Sequence, residues 1–170
     1  TTTNFAIIIE DTDELESRLD ATAHKNRYNV ASKAIDNEVE VTLFQYMIGN
    51  TDFSFIMQRN LKLLKQQSGK YVAVPYDFDF SGLVNASYAR PNGAIGQSKI
   101  TDRVFTWEFE EDANLENVSR KFLDQKDNLL NTVATFPNLS DKSKKEFPKY
   151  LKGFYRELKN ETINVAPIAR

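Results

Sequence analysis

The chain has 170 residues, a formal charge of -2 and no cysteine, with 41% hydrophobic, 27% charged and 12% aromatic side chains. This is globular composition at a length that suits one domain, so disorder, disulfides, thiolate metal sites and cysteine nucleophiles are excluded while the compartment stays open. Lys and Arg are scattered rather than striped, which argues against a nucleic-acid partner, and no apolar run approaches the roughly 18 to 20 residues that span a bilayer, so no membrane span or leader is expected.

Thr1-Thr2-Thr3-Asn4 leads at once into Phe5 to Ile9, a nearly all-apolar run with the pattern of a strand buried on both faces. This abrupt opening suggests a cut inside a longer protein. Glu10 to Glu14 then supplies N-cap and first-turn carboxylates for a helix through Leu15 and Leu19. Ile35, Val39, Leu43 and Tyr46 or Met47 recur at helical spacing, and Gly49-Asn50 tolerates the left-handed geometry that ends a helix. Leu61 to Lys65, Gln66 to Gly69 and Lys70 to Pro75 read as strand, turn and strand. Residues 81–100 carry the Gly, Asn, Pro and Ser content of a long irregular segment. Val118, Phe122, Leu129 or Leu130 and Val133 suggest one helix, and Ser140 caps another through Phe147 and Leu158 that Pro148 is expected to kink or split. Asn164 to Arg170 reads as a loosely held tail. The fold class is α+β, helix-dominated with a central β-hairpin.

Two acidic motifs flank that hairpin, Gly49-Asn50-Thr51-Asp52 before it and Tyr76-Asp77-Phe78-Asp79-Phe80-Ser81-Gly82 after it. A hairpin brings the loop before its first strand beside the residue after its second, so Asp52, Asn60, Asp77 and Asp79 are expected to converge on a divalent cation such as Mg²⁺. Asp77 and Asp79 are expected on one side of an extended segment, with Phe78 and Phe80 as core anchors on the other. The bland alternative for Asp52 is a turn residue capping its local backbone.

These motifs resemble those of atypical kinases of the CotH and HipA type, in bacterial proteins carrying Gly-Asn-Thr-Asp and Pro-Tyr-Asp-Phe-Asp-aromatic-Ser-Gly. The match is strongest over residues 41–90. The resemblance implies a single kinase-like larger lobe over residues 1–170, with a hinge strand at 5–10, a catalytic loop at 49–60, a hairpin at 60–76 and a metal motif at 77–82. It implies Mg²⁺- and ATP-dependent transfer to a hydroxyl of an unknown protein or small-molecule acceptor. Asp52 is then the catalytic base, Asn60 the metal-binding amide, and Asp77 and Asp79 further metal ligands. Ile9 and Glu10 are nucleotide-hinge candidates. Arg59 stands where close relatives carry His, and its charge either contacts a phosphate or points to solvent. The gap from Asp52 to Asn60 is longer than in ordinary protein kinases, so the loop must bulge. The glycine-rich loop and nucleotide-positioning Lys that precede such a hinge are expected to be missing. A fragment of this kind is expected to be inactive alone and to form a homodimer through surfaces the missing lobe leaves uncovered.

Two other readings compete. One is a non-catalytic kinase-like binding or scaffold module. The other is a haloacid-dehalogenase-type phosphatase, in which one Asp of Asp77-Phe78-Asp79 is the nucleophile, Asp102, Glu110, Glu111 or Asp112 completes the site, and a parallel sheet is required. His24 reads as a surface side chain, Trp107 between Phe105 and Phe109 as packing, and Asp102-Arg103 as a structural pair pinning the long loop.

Overall fold

The computed structural model describes residues 10–25, 30–106 and 115–163. The expected strand Phe5 to Ile9, hinge candidate Ile9, Trp107, Phe109, Glu110, Glu111, Asp112 and the tail 164–170 lie outside them. In chain order the elements are α1 (Thr12–Leu19), β1 (Ala21–Ala23), α2 (Glu38–Ile48), β2 (Leu61–Gln66), β3 (Tyr71–Pro75), α3 (Leu115–Asp124), α4 (Lys126–Thr135) and α5 (Asp141–Lys159), with 3₁₀ turns at Ser32–Ala34 and Gly93–Ile95. This is an α+β fold with a central hairpin.

The Asp11 carboxylate caps α1 by accepting from Asp13 N–H, and Asp20 ends the helix in the left-handed region. That reversal feeds β1, a strand too short to be legible in the sequence. It pairs antiparallel with β2, Ala21 opposite Gln66, making a three-stranded antiparallel sheet in the order β1-β2-β3. In the hairpin Leu61 lies opposite Pro75 and Leu63 opposite Ala73, so Pro75 falls at the strand end where a missing N–H costs nothing. The free edge of β3 is covered by the segment entering α2. Asn37 donates its amide to Ala73 O at 2.9 Å and accepts Ala73 N–H at 2.8 Å, imitating a neighbouring strand. Asp36 N–H donates to Tyr71 O alongside it. This explains why α2 starts only at Glu38, leaving Ile35 outside the helix in a bridge to Tyr71.

α2 is buried on two sides, and each side serves a different core. Val41 joins Ile35, Phe53, Phe55, Leu61, Leu63 and Ala73 against the sheet. Leu43, Tyr46, Met47 and Ile48 join Phe105, Val118, Leu151, Phe154, Tyr155 and Leu158 against the later helices. Burying both faces takes a large apolar area from water, at about 25 cal/mol per Å², and fixes the helix end that launches the first acidic motif.

Three expectations are corrected. The single helix expected over Val118 to Val133 breaks at Gln125 into α3 and α4. α5 is not split at Pro148 but runs from Asp141 to Lys159 as one helix, capped by Ser140 as expected. His24 is half-buried, its ring edge-on to Tyr71 at 5.1 Å, rather than a surface side chain.

Candidate functional site

α2 stops at Gly49, whose φ of 67° is left-handed, and its N–H returns to Tyr46 O. The next residue, Asn50, is buried and makes the local turn: it donates its amide to Gln45 Oε1 at 3.0 Å and accepts Asp52 N–H at 3.0 Å. Asn50 thus takes the capping role, and the Asp52 carboxylate is left to point elsewhere.

It points to Asn60 and Arg59. The Asn60 amide donates to Asp52 O at 2.7 Å and to Asp52 Oδ2 at 2.9 Å, while Arg59 Nε lies 3.1 Å from Asp52 Oδ1. The long gap is absorbed as a small closed loop. Ser54 and Arg59 exchange backbone hydrogen bonds at 3.1 and 3.0 Å, and Ser54 Oγ accepts Met57 N–H. Gln58 and Asn60 adopt left-handed φ values of 47° and 52° to turn back. Non-glycine residues in that region are uncommon and gather at sites the surroundings over-determine.

Across the hairpin, Tyr76 N–H donates to Asn60 O at 3.0 Å, registering the second acidic motif on the first. Asp77 is also left-handed, with φ 57°, so the extended alternation expected from Asp77 to Asp79 is not what occurs. The two carboxyls nevertheless meet. Asp77's pKa is raised, first by a hydrogen bond shared with the Asp79 carboxyl, then by desolvation and by the Asp79 charge; Asp79's backbone N–H opposes this, and the Asp52 charge adds to it. Asp79 Oδ2 also accepts from the Tyr88 hydroxyl at 2.9 Å, which holds that phenol above its ordinary pKa.

The chain therefore gathers Asp52, Arg59 and Asn60 into one hydrogen-bonded group and Asp77 with Asp79 into another, close enough for Asp52 to be felt at Asp77. Among the described residues no three acidic or histidine side chains come together to hold a metal ion by themselves. Phe78 packs edge-on to Phe44 at 5.5 Å as a core anchor. Phe80 does not: it meets Tyr88 at 5.9 Å and lines a recess beside Asp52. Glu10 forms an exposed bidentate ion pair with Arg18 at 2.7 and 2.8 Å.

The motif ends are tied by contacts the sequence did not suggest. Gly82 N–H donates to Gly49 O at 3.0 Å and Leu83 N–H to Ile48 O at 2.9 Å. The Tyr150 hydroxyl of α5 lies over both glycines, 2.1 Å from where a Cβ on Gly49 would sit and 2.4 Å from one on Gly82. It donates to Thr101 O at 3.2 Å, and burial pushes its pKa up to about 12. Arg103 does not pair with Asp102. Its guanidinium covers the Tyr150 ring at 3.8 Å, donates to Met47 O and Tyr150 O, and meets Glu157 at 3.5 Å, clamping α2, α5 and the long loop together. Asp102 instead accepts Ser98 and Lys99 N–H within the loop. No spacing rule marks Tyr88, Tyr150 or Arg103, because each acts across a long sequence separation or from an irregular segment.

The sheet among the described residues is antiparallel and Asp77 follows its edge strand, which removes the parallel framework a haloacid-dehalogenase site needs. No helix among the described residues is long and apolar enough to cross a membrane. In comparison with known proteins, the chain matches no family model, no curated protein and no solved structure.

Proposed function

We propose that this domain is a kinase-like phosphotransferase module, with Asp52 as the base, Asn60 and Arg59 as its positioning partners, and Asp77 and Asp79 as the metal-binding carboxylates. The carrying observation is the pairing of Asp52 with Asn60 through two hydrogen bonds, next to a hairpin that delivers Asp77 and Asp79 as a mutually strained pair.

The residues fit Mg²⁺ in a restricted sense. Mg²⁺ keeps several waters and takes one or two carboxylates plus phosphate oxygens, so an acidic pair suffices and an all-protein cage is unnecessary. Two carboxyls held this close repel when both are ionised, and a cation between them would relieve that repulsion. When bound, the ion would neutralise charge on the transferring phosphoryl group.

In the transfer, the acceptor hydroxyl oxygen forms a bond to the terminal phosphorus of ATP as the phosphorus–oxygen bond to ADP breaks. The hydroxyl proton passes to the Asp52 carboxylate, and ADP leaves. Asn60 fixes the carboxylate's orientation, which matters because misplacement by about an ångström is expensive in such reactions. A phosphate cradle is a further requirement, and turnover depends on its being supplied to this lobe.

One observation favours a non-catalytic binding module instead. Both Asp52 oxygens already have a partner, Oδ1 with Arg59 and Oδ2 with Asn60, which lowers the carboxylate's basicity toward an acceptor hydroxyl. Calorimetric titration with Mg-ATP separates the readings. Binding that requires Mg²⁺ and is lost in Asp77→Ala supports the phosphotransferase site, and absence of binding in both forms leaves the scaffold.

A further inference from the structure

Beside the acids lies a recess of about 170 Å³, bounded by Thr51, Asp52, Arg59, Phe80, Arg90 and Asn92. Sites for drug-sized ligands run from roughly 300 Å³ upward, so this one takes a small group or a single side chain rather than a nucleotide. Its charge is distinctive in a chain that is acidic overall: two arginines and one carboxylate line it, and that carboxylate is already paired with Arg59.

The wall carrying Arg90 is built. Arg90 Nη1 donates to Ser87 O and to Ala89 O, both at 3.1 Å, which anchors the guanidinium to its own loop. The buried Gln97 side chain accepts Asn92 N–H at 2.8 Å and donates to Ile100 O at 3.3 Å and Asp102 O at 3.0 Å, stapling the segment that forms the far side. Phe80, held against Tyr88, supplies one apolar surface. A planar fork of donors held in place beside an aromatic face recognises carboxylate or phosphate oxygens in a bidentate manner.

We infer that this recess selects the acceptor, and that the acceptor is anionic: a hydroxyl compound or side chain whose neighbouring carboxylate or phosphate is held by Arg90 with Arg59. The inference rests on the phosphotransferase reading for the word acceptor, and on the recess alone for the anion. It also gives Arg59 a second role. An incoming anion competes with Asp52 for the Arg59 guanidinium, and drawing it away raises the basicity of the carboxylate that takes the hydroxyl proton.

The test is calorimetric titration of the full chain with inorganic phosphate, with succinate and, separately, with Mg-ATP, using wild type, Arg90→Gln, Arg90→Lys and Asp77→Ala, each checked for native circular dichroism. The expected result is anion binding weakened about tenfold or more by Arg90→Gln and less by Arg90→Lys, with Mg-ATP affinity unchanged by either. Phosphate binding without succinate binding assigns a phosphorylated acceptor, and the reverse a carboxylate. Anion binding that is absent, or indifferent to Arg90, overturns the inference and leaves the Asp77-dependent nucleotide reading intact. A parallel loss of Mg-ATP affinity in Arg90→Gln also overturns it, since the recess would then hold the nucleotide's own phosphate. If Arg90-dependent anion binding persists while Mg-ATP fails to bind, the phosphotransferase reading falls and the anion site stands.

Discussion

Replacing Gly49 or Gly82 by alanine tests whether the Tyr150 hydroxyl wedges the two acidic motifs together. At Gly49 a Cβ would stand 2.1 Å from Tyr150 Oη and 3.3 Å from Cζ, with φ at 67°. An alanine there suffers left-handed strain of about 1–2 kcal/mol and an overlap costing about 1–3 kcal/mol. At Gly82 the Cβ would meet Tyr150 Oη at 2.4 Å, Ile100 O at 2.7 Å and Thr101 Cα at 3.0 Å. Only the overlap applies there, at about 1–3 kcal/mol, and much of it is against backbone that cannot swing aside. Tyr150→Phe alone loses the hydrogen bond to Thr101 O, about 1 kcal/mol. Combined with Gly49→Ala it removes the closest atom, so the double variant recovers about 1–2 kcal/mol relative to additivity; combined with Gly82→Ala it recovers less, because Ile100 O remains. Urea unfolding followed by circular dichroism measures the five variants against the wild type, and a loss of 1 kcal/mol corresponds to about 2–4 °C in Tm. Equal coupling for both glycines, or none for Gly49, would refute the reasoning.

Arg103→Lys is expected to destabilise by about 3–5 kcal/mol despite retained charge, since one ammonium cannot serve Met47 O, Tyr150 O and Glu157 together; a loss under about 1 kcal/mol in urea unfolding counts against the clamp. Asn60→Gly keeps the left-handed backbone but loses the amide donors to Asp52, and about 1–3 kcal/mol of stability is expected to go with them, measured by the same unfolding. Asp77 titrates above its ordinary 3.8, so the folded chain holds more protons than the unfolded one in the window just above that value, and its contribution to stability falls as pH rises through it. Asp77→Asn should flatten this part of the stability–pH curve; an unchanged slope would show that the pair is not strained. Binding of Mg²⁺ in the same window should release protons, read as an enthalpy that varies with the ionisation enthalpy of the buffer, and Asp77→Asn should abolish the release.

Local chemistry was enough to read much of this chain. The capping acids before α1, the glycine at the end of α2, the hairpin between Leu61 and Pro75 and the serine before α5 follow from propensity and hydrogen-bonding capacity, which depend on residues only a few positions away. The same logic indicated that the two acidic motifs would lie at one end of the hairpin, and Tyr76 N–H on Asn60 O places them there. Which oxygen meets which partner was beyond it. Left-handed turns at Gln58, Asn60 and Asp77 aim Asp52 at Arg59 and Asn60 and fold Asp77 onto Asp79; Asn and Asp tolerate those angles, but which positions adopt them is decided by a closed loop and a strand register. The Gly49–Gly82 contact under Tyr150 and the Arg103 clamp join residues far apart in the chain, and such pairings are selected only when whole helices and loops pack at once.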